Sequence, residues 1–171
     1  MRRFLMLLAA GAAMLPVAPA FPQGQAPARV EQDSRSSETF VFEQVMIPMR
    51  DGTRLQTVIL YPRNQRGRLP ILLQRTPYGV PSSAPATAPA SLRYLMQDGY
   101  ILVFQNMRGQ FQSEGDFTMS MALAPRGSNG VDEATDAYDT IDWLVHHVRD
   151  NNGRVGMWGV SYPGYAAAVA L

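Results

Sequence analysis

Near the end of the chain, the apolar stretch Arg154-Val155-Gly156-Met157-Trp158 runs through Gly159-Val160-Ser161-Tyr162-Pro163-Gly164 into the small-residue run Tyr165-Ala166-Ala167-Ala168-Val169-Ala170-Leu171. A buried strand, a sharp turn and a helix in that order require a sheet with a serine standing at its edge. A serine hydroxyl is a poor nucleophile. It must be lifted clear of the sheet, set beside a base and given donors for the oxyanion that forms when it attacks a carbonyl. A strand-to-helix turn serves these needs, because it strains the serine into an exposed position and the following helix aims its N-terminal amides at the reacting oxygen. Crowding there calls for small neighbours, and Gly159 is the one two residues before Ser161. The second glycine, Gly164, comes one position later than in the common pattern, with Pro163 in its place. Pro163 suits a first helical turn, where its missing N–H is not needed, and the Tyr162 N–H next to the serine is kept. A Gly-x-Ser triplet alone is weak evidence. The apolar strand before it and the small-residue helix after it make Ser161 a candidate nucleophile.

The preceding sequence alternates strand and helix. Thr39 to Met49 sets Phe40, Phe42, Val45 and Ile47 among polar neighbours, and Arg50-Asp51-Gly52 turns it into Thr53 to Tyr61, which predicts a hairpin. Pro70 to Arg75 predicts a short buried strand ending at Thr76-Pro77-Tyr78-Gly79. Residues 80–90, almost only Pro, Ala, Ser and Thr, predict a mobile surface loop. Ser91 to Asp98 predicts a helix with Leu92, Leu95 and Met96 on one face, closed by Gly99, and Tyr100 to Phe104 a continuous apolar strand. A long loop over Gln105 to Gly130 leads to a helix predicted over Val131 to Val148, with Ala134, Ala137, Tyr138, Ile141, Leu144, Val145 and Val148 as its apolar set. Asp132, Glu133 and Asp136 fall in its first turns, where the helix dipole favours negative charge, and Asp150-Asn151-Asn152-Gly153 ends it. This alternation favours a parallel sheet and an α/β fold. With 46% apolar residues the chain can build a core, and 171 residues correspond to one domain.

The first residues read as an address. Met1-Arg2-Arg3, the apolar run Phe4 to Leu15 and Val17-Ala18-Pro19-Ala20 form a secretory signal peptide pattern, with cleavage expected after Ala20 and a secreted or periplasmic location. Pro16 interrupts the run, which falls short of the roughly 18–20 apolar residues of a spanning helix, so no stable membrane anchor is expected. Residues 21–37, rich in Pro, Gln, Ala and Ser, read as a flexible leader, and the fold starts at residue 38. All 15 basic residues are Arg, against 14 Asp and Glu, and removing residues 1–20 leaves 13 against 14. A near-neutral chain without basic runs has no electrostatic footprint for nucleic acid. The absence of Cys excludes a disulfide framework, a thiolate metal site and a cysteine nucleophile. His146 is four residues after Asp142, the spacing of a local surface pair, and neither it nor His147 has the further ligands of a zinc site, so no metal or cofactor is expected. Arg108-Gly109 with Ser113-x-Gly115 fits either a basic turn near a site or a solvated loop. Tyr78, on a loop at a strand end, can offer its hydroxyl.

Several separate segments carry a family resemblance. They are Met49-Arg50-Asp51-Gly52-Thr53-Arg54-Leu55, Arg75-Thr76-Pro77-Tyr78, Gly99-Tyr100 to Phe104 followed by Arg108-Gly109 and Ser113-Glu114-Gly115-Asp116-Phe117, Thr140 to Leu144, Asn152 to Met157, and Gly159-x-Ser161-Tyr162-x-Gly164. Together residues 38–171 resemble the N-terminal part of the catalytic domain shared by α-amino-acid ester hydrolases, cocaine esterase and X-prolyl dipeptidyl-peptidases, which are serine hydrolases of α/β-hydrolase fold. The family's turn is Gly-x-Ser-Tyr-x-Gly, so Gly164 stands where the family has its glycine. The resemblance implies Ser161 as acyl-forming nucleophile, the Tyr162 backbone N–H and the Tyr78 hydroxyl as oxyanion donors, and Gly159 and Gly164 as the glycines of the elbow. It implies a small-molecule ester or amide substrate, with short peptides and β-lactams among the alternatives. The chain departs from the pattern at Asn106, where the family usually has Asp two before Arg108, which weakens the expectation of a carboxylate–arginine pair there. It departs again at Pro163, where the ester hydrolases usually have Glu, which weakens that narrower assignment and leaves the nucleophile untouched.

Family members continue past the elbow through a catalytic Asp, a helical cap, a catalytic His and a jelly-roll domain. The 171 residues are therefore expected to be the N-terminal portion of an α/β-hydrolase sheet, truncated just after the nucleophile elbow and inactive alone. His146 and His147 precede Ser161, whereas the order Ser, Asp, His needs its base downstream. A sheet ending at the nucleophile strand exposes an edge, so the segment alone is expected to fold poorly. The alternative reading is a non-catalytic remnant or binding module with no triad of its own.

Overall fold

The computed structural model describes residues 35–87, 90–125 and 130–171. The signal-like segment and residues 21–34 of the leader lie outside the described residues. The chain opens with the hairpin of β1 (Phe40–Pro48) and β2 (Arg54–Pro62), paired antiparallel from Phe40 opposite Pro62 to Pro48 opposite Arg54. The Asp-Gly turn closes as its residue types require: Gly52 takes φ +86, and the Thr53 N–H donates to Asp51 Oδ1 at 3.1 Å. There follow β3 (Leu69–Thr76), a 3-10 turn (Ala90–Leu92), α1 (Arg93–Asp98), β4 (Ile101–Asn106), α2 (Glu133–His147), β5 (Asn151–Met157) and α3 (Tyr162–Val169).

The strands form one sheet in the order β1-β2-β4-β3-β5, with β3 parallel to both β4 and β5 and β2 antiparallel to β1 and β4. The β3-to-β4 crossover carries α1 and the β4-to-β5 crossover carries α2 in the opposite direction. Right-handed crossovers running opposite ways place their helices on opposite faces, and the core divides accordingly. Alternation along each strand sends odd positions to one face, where Val45, Ile47, Leu55, Ile59, Ile71, Leu73, Ile101 and Val103 meet Ile141, Leu144 and Val148 of α2 and its C-cap. Even positions face the other way, where Phe40, Phe42, Val58, Leu60, Leu72, Leu102 and Phe104 meet Leu92, Leu95 and Trp158. Burial on both faces is why β2 and β4 read as nearly continuous apolar runs. Each fully buried aliphatic side chain in these layers stabilises the fold by about 1.5–3 kcal/mol.

Two elements begin earlier than the sequence predicts. β5 begins at Asn151 rather than Arg154, since Asn151 already pairs with Leu69 across an irregularity in register. α3 begins at Tyr162 rather than Tyr165, because Pro163 and Gly164 are taken into its first turn. The loop after β3 is hydrogen-bonded to the segment that leads into β1. The Ala84 N–H donates to the Arg35 carbonyl at 2.7 Å, and the Ser37 and Thr39 hydroxyls donate to the Pro85 and Ala86 carbonyls. Among the described residues β5 is an edge strand, paired only through β3.

Candidate active site

The elbow lies at the C-terminal end of β5. The last sheet bond runs from the Trp158 N–H to the Leu73 carbonyl at 3.1 Å, and the first bond of α3 runs from the Tyr165 N–H to the Ser161 carbonyl at 3.0 Å. Between them Ser161 sits at φ +60 and ψ −128, a conformation costing a non-glycine residue about 1–3 kcal/mol. Its side chain caps nothing. The strain therefore presents the hydroxyl without binding it to the fold.

The two glycines work as a pair. A Cβ on Gly159 would overlap the main-chain carbonyl of Pro163, and one on Gly164 would stand 3.1 Å from the Gly159 carbonyl oxygen. The strand exit and the first helical turn cross at backbone contact, which accounts for a glycine three residues after the serine. Gly159→Ala in the full-length protein should cost about 1–3 kcal/mol through overpacking. Its melting curve should shift down, and hydrolysis should be lost with it as the turn opens.

Tyr162 contributes at both ends. Its backbone N–H is the first amide of α3, one of the four that have no acceptor within the helix. Its hydroxyl accepts the Ser120 N–H at 2.7 Å, and its ring lies 6.0 Å from Phe117 and 5.3 Å from Tyr165. The Tyr165 hydroxyl donates to the Met121 carbonyl at 3.4 Å, so the loop after β4 is fastened over the start of α3. The sequence carried no signal of this contact.

Tyr78 follows β3 by two residues, is 65% exposed, and makes no hydroxyl hydrogen bond among the described residues. β3 and β5 are parallel neighbours, so Tyr78 and Ser161 emerge at the same edge of adjacent strands. The chain leaves β3 toward the α1 face, where Val80 and Ala84 pack in the same cluster as Leu92 and Leu95, whereas α3 packs against β3 and α2. A crevice at strand C-termini between helices of opposite faces is where α/β sheets bind ligands.

Beneath this edge lies a buried charge cluster. Arg75 is fully buried, with Nη1 donating to the Glu133 carbonyl at 2.7 Å and to Glu133 Oε2 at 3.0 Å, and Nε donating to Gln105 Oε1 at 2.9 Å. Arg108 grips Asp136 with two bonds, Nε to Oδ2 at 3.1 Å and Nη2 to Oδ1 at 2.6 Å, and reaches Asp51 Oδ2 and Thr53 Oγ1 at 2.7 Å each. Arg108, which the sequence allows either in a site-adjacent turn or in a solvated loop, is buried. Its carboxylates come from Asp136 and Asp51, while Asn106 instead donates Nδ2 to Gln56 Oε1 at 2.7 Å. Glu133 and Asp136, read as dipole complements, are also the buried partners of two arginines. The N-cap is Asp132, whose side chain accepts the Thr135 and Ala124 N–H groups at 2.7 Å each. Burial pushes the Asp51 and Asp132 carboxyls up, but Arg108 at the first and backbone amides at the second hold both below the ordinary 3.8. Burial leads for Glu133 and keeps it above the ordinary 4.5 despite Arg75.

His146 and His147 lie on the exposed side of α2. His146 Nδ1 stands 3.5 Å from Asp142 Oδ1, as the spacing suggested, and His147 stacks on Trp143 with centroids 4.6 Å apart. Among the described residues no group of three or more His, Cys, Asp or Glu is placed to hold a metal ion.

Comparison with known proteins fits this geometry. Residues 51–171 match the family model described as X-Pro dipeptidyl-peptidase (S15 family). Cocaine esterase of Rhodococcus sp. (strain MB1 Bresler) is 40% identical over 125 residues, which is 72% of this chain and 20% of that enzyme. Among solved structures, an α-amino acid ester hydrolase superposes with a TM-score of 0.70 at 39% identity, over 88% of this chain and 26% of its own. An aminopeptidase from the marine sediment archaeon Thaumarchaeota archaeon gives a TM-score of 0.70 at 36% identity, over 90% of this chain and 26% of its own. The chain thus spans 20% to 26% of the length of these relatives. On the family match over residues 51–171, the chain belongs to the X-Pro dipeptidyl-peptidase (S15) family of hydrolases.

Proposed function

We propose that this chain supplies the nucleophile and the oxyanion donors of a serine hydrolase that cleaves ester or amide bonds through an acyl-enzyme on Ser161. The observation that carries the reading is the Ser161 backbone, held at φ +60 between a parallel strand and a helix, with no cap hydrogen bond from its side chain among the described residues. In the reaction the Ser161 Oγ attacks the carbonyl carbon while its proton passes to a histidine base. The tetrahedral oxyanion accepts the Tyr162 N–H and the Tyr78 O–H. Its collapse expels the alcohol or amine, which takes the proton from the histidine. Water, deprotonated by the same base, then releases the acid and restores Ser161. In this reading the base and its orienting carboxylate are supplied by sequence following Leu171.

The substrates proposed are small-molecule esters, with β-lactam-type amides and X-Pro peptides as the amide alternatives. The names of the relatives, an ester hydrolase, an esterase and an aminopeptidase, support that range. Export through residues 1–20 belongs to the same proposal. One experiment tests both parts: full-length protein, purified after expression in a secreting host, is treated with a fluorophosphonate probe and analysed by mass spectrometry. A single label on the peptide containing Ser161 is expected, on a chain beginning at Phe21. A label elsewhere, or none, overturns the nucleophile, and a chain still beginning at Met1 overturns export.

A further inference from the structure

The Tyr78 ring is largely exposed and its hydroxyl has no hydrogen bond among the described residues, so its position is set from the backbone. The turn Thr76-Pro77-Tyr78-Gly79 is pinned at several points. Thr76, only 4% exposed, uses Oγ1 to accept the Tyr78 N–H at 3.0 Å, and its carbonyl accepts the Met107 N–H at 3.0 Å. Pro77 fixes its own φ. Gly79 takes φ +104 beneath the Phe111 ring, whose Cζ lies 2.9 Å from where a Cβ would stand. Directly upstream, Arg75 is locked to Glu133 inside the fold. Of these restraints, the Thr76 hydroxyl is the one side-chain acceptor that touches the Tyr78 main chain.

We propose that Thr76 is a positioning residue: the bond from the Tyr78 N–H to its Oγ1 sets the direction in which the Tyr78 side chain leaves the turn, and so places the Tyr78 hydroxyl for the oxyanion. This inference rests on the oxyanion role proposed above for Tyr78. Thr76→Val keeps the β-branched shape and removes only the acceptor, leaving the Tyr78 N–H free to turn. A misplaced donor weakens an interaction made in the transition state, so kcat and kcat/KM should fall together while KM holds.

The test measures kcat and KM of the full-length protein on a simple aryl ester. Tyr78→Phe should lower kcat about 100-fold. Thr76→Val should lower it about tenfold with KM changed by less than about twofold, and Thr76→Ser, which restores the acceptor, should recover kcat to within about twofold of the parent. In the Tyr78→Phe background, Thr76→Val should change kcat by less than about twofold, since no hydroxyl remains to be placed. Melting temperatures are recorded alongside. Should Thr76→Val be too unstable to assay, Thr76→Ala also lacks the acceptor and should show the same split. A slow Tyr78→Phe with a normal Thr76→Val overturns this inference alone, as does a Thr76→Val loss of equal size in both backgrounds. A Tyr78→Phe variant with full kcat overturns the oxyanion role and the inference with it.

Discussion

Ser161→Ala in the full-length protein should lower kcat on an aryl ester by about 10⁴–10⁶-fold, the range seen when a serine nucleophile is removed and only binding and oxyanion donors remain. Stability should be nearly unchanged, within about 0.5 kcal/mol, because the Ser161 side chain makes no cap bond and the alanine inherits the same backbone. Ser161→Gly separates strain from chemistry. It should be equally inactive yet more stable by about 1 kcal/mol, since glycine takes φ +60 at little cost. Rates on the ester and melting curves of the three proteins check both statements. Hydrolysis retained by Ser161→Ala would sink the nucleophile assignment. A Ser161→Gly variant no more stable than the parent would show that the elbow stores no strain.

The parts of this fold that could be read in advance are those written in local pattern. Alternation of two announces β1, the Asp51-Gly52 pair announces the turn into β2, and the spacing of Ile141, Leu144 and Val148 announces the face α2 turns to the sheet. The elbow was legible for the same reason, because strand, turn and helix lie within twenty consecutive residues. What stayed hidden joins residues far apart in sequence. Arg75 meets Glu133 across 58 positions and Arg108 meets Asp51 across 57, so no window contains both partners. An acid in the first turn of a helix already has a local explanation in the helix dipole. That explanation concealed the second use of Glu133 and Asp136. One signal was available: an arginine closing an otherwise buried strand such as β3 has to find a carboxylate inside the fold. The clasp between Tyr162 and Ser120 had no such signal, since backbone amides leave no mark in a sequence.

Arg75→Met should destabilise the full-length protein by about 3–5 kcal/mol, the cost of leaving a buried charge without its partner. The damage falls unequally on the two carboxylates. Asp136, whose Oδ2 stands 3.6 Å from Arg75 Nη2, keeps its two-pronged bond to Arg108, whereas Glu133 loses the arginine that holds its Oε2. Arg75→Met/Glu133→Gln should therefore regain a large part of the loss, because removing the stranded charge costs less than keeping it. The pH dependence follows from the same residue. Burial already holds Glu133 above its ordinary value of 4.5, and without Arg75 the folded value rises further. An acid whose folded pKa is raised is penalised only where the folded state has to carry the charge. The penalty is absent below the unfolded value and grows as pH rises through the folded one. The gap between Arg75→Met and the parent should thus be wide at pH 8 and narrow toward pH 5. Asp51 and Asp132, held below 3.8, stay ionised across that window and do not contribute to the change. Denaturation curves of parent, single and double variants at the two pH values decide the matter. A gap independent of pH would assign the loss to packing around the arginine stem, and an uncorrected double variant would show that Glu133 is not the stranded charge.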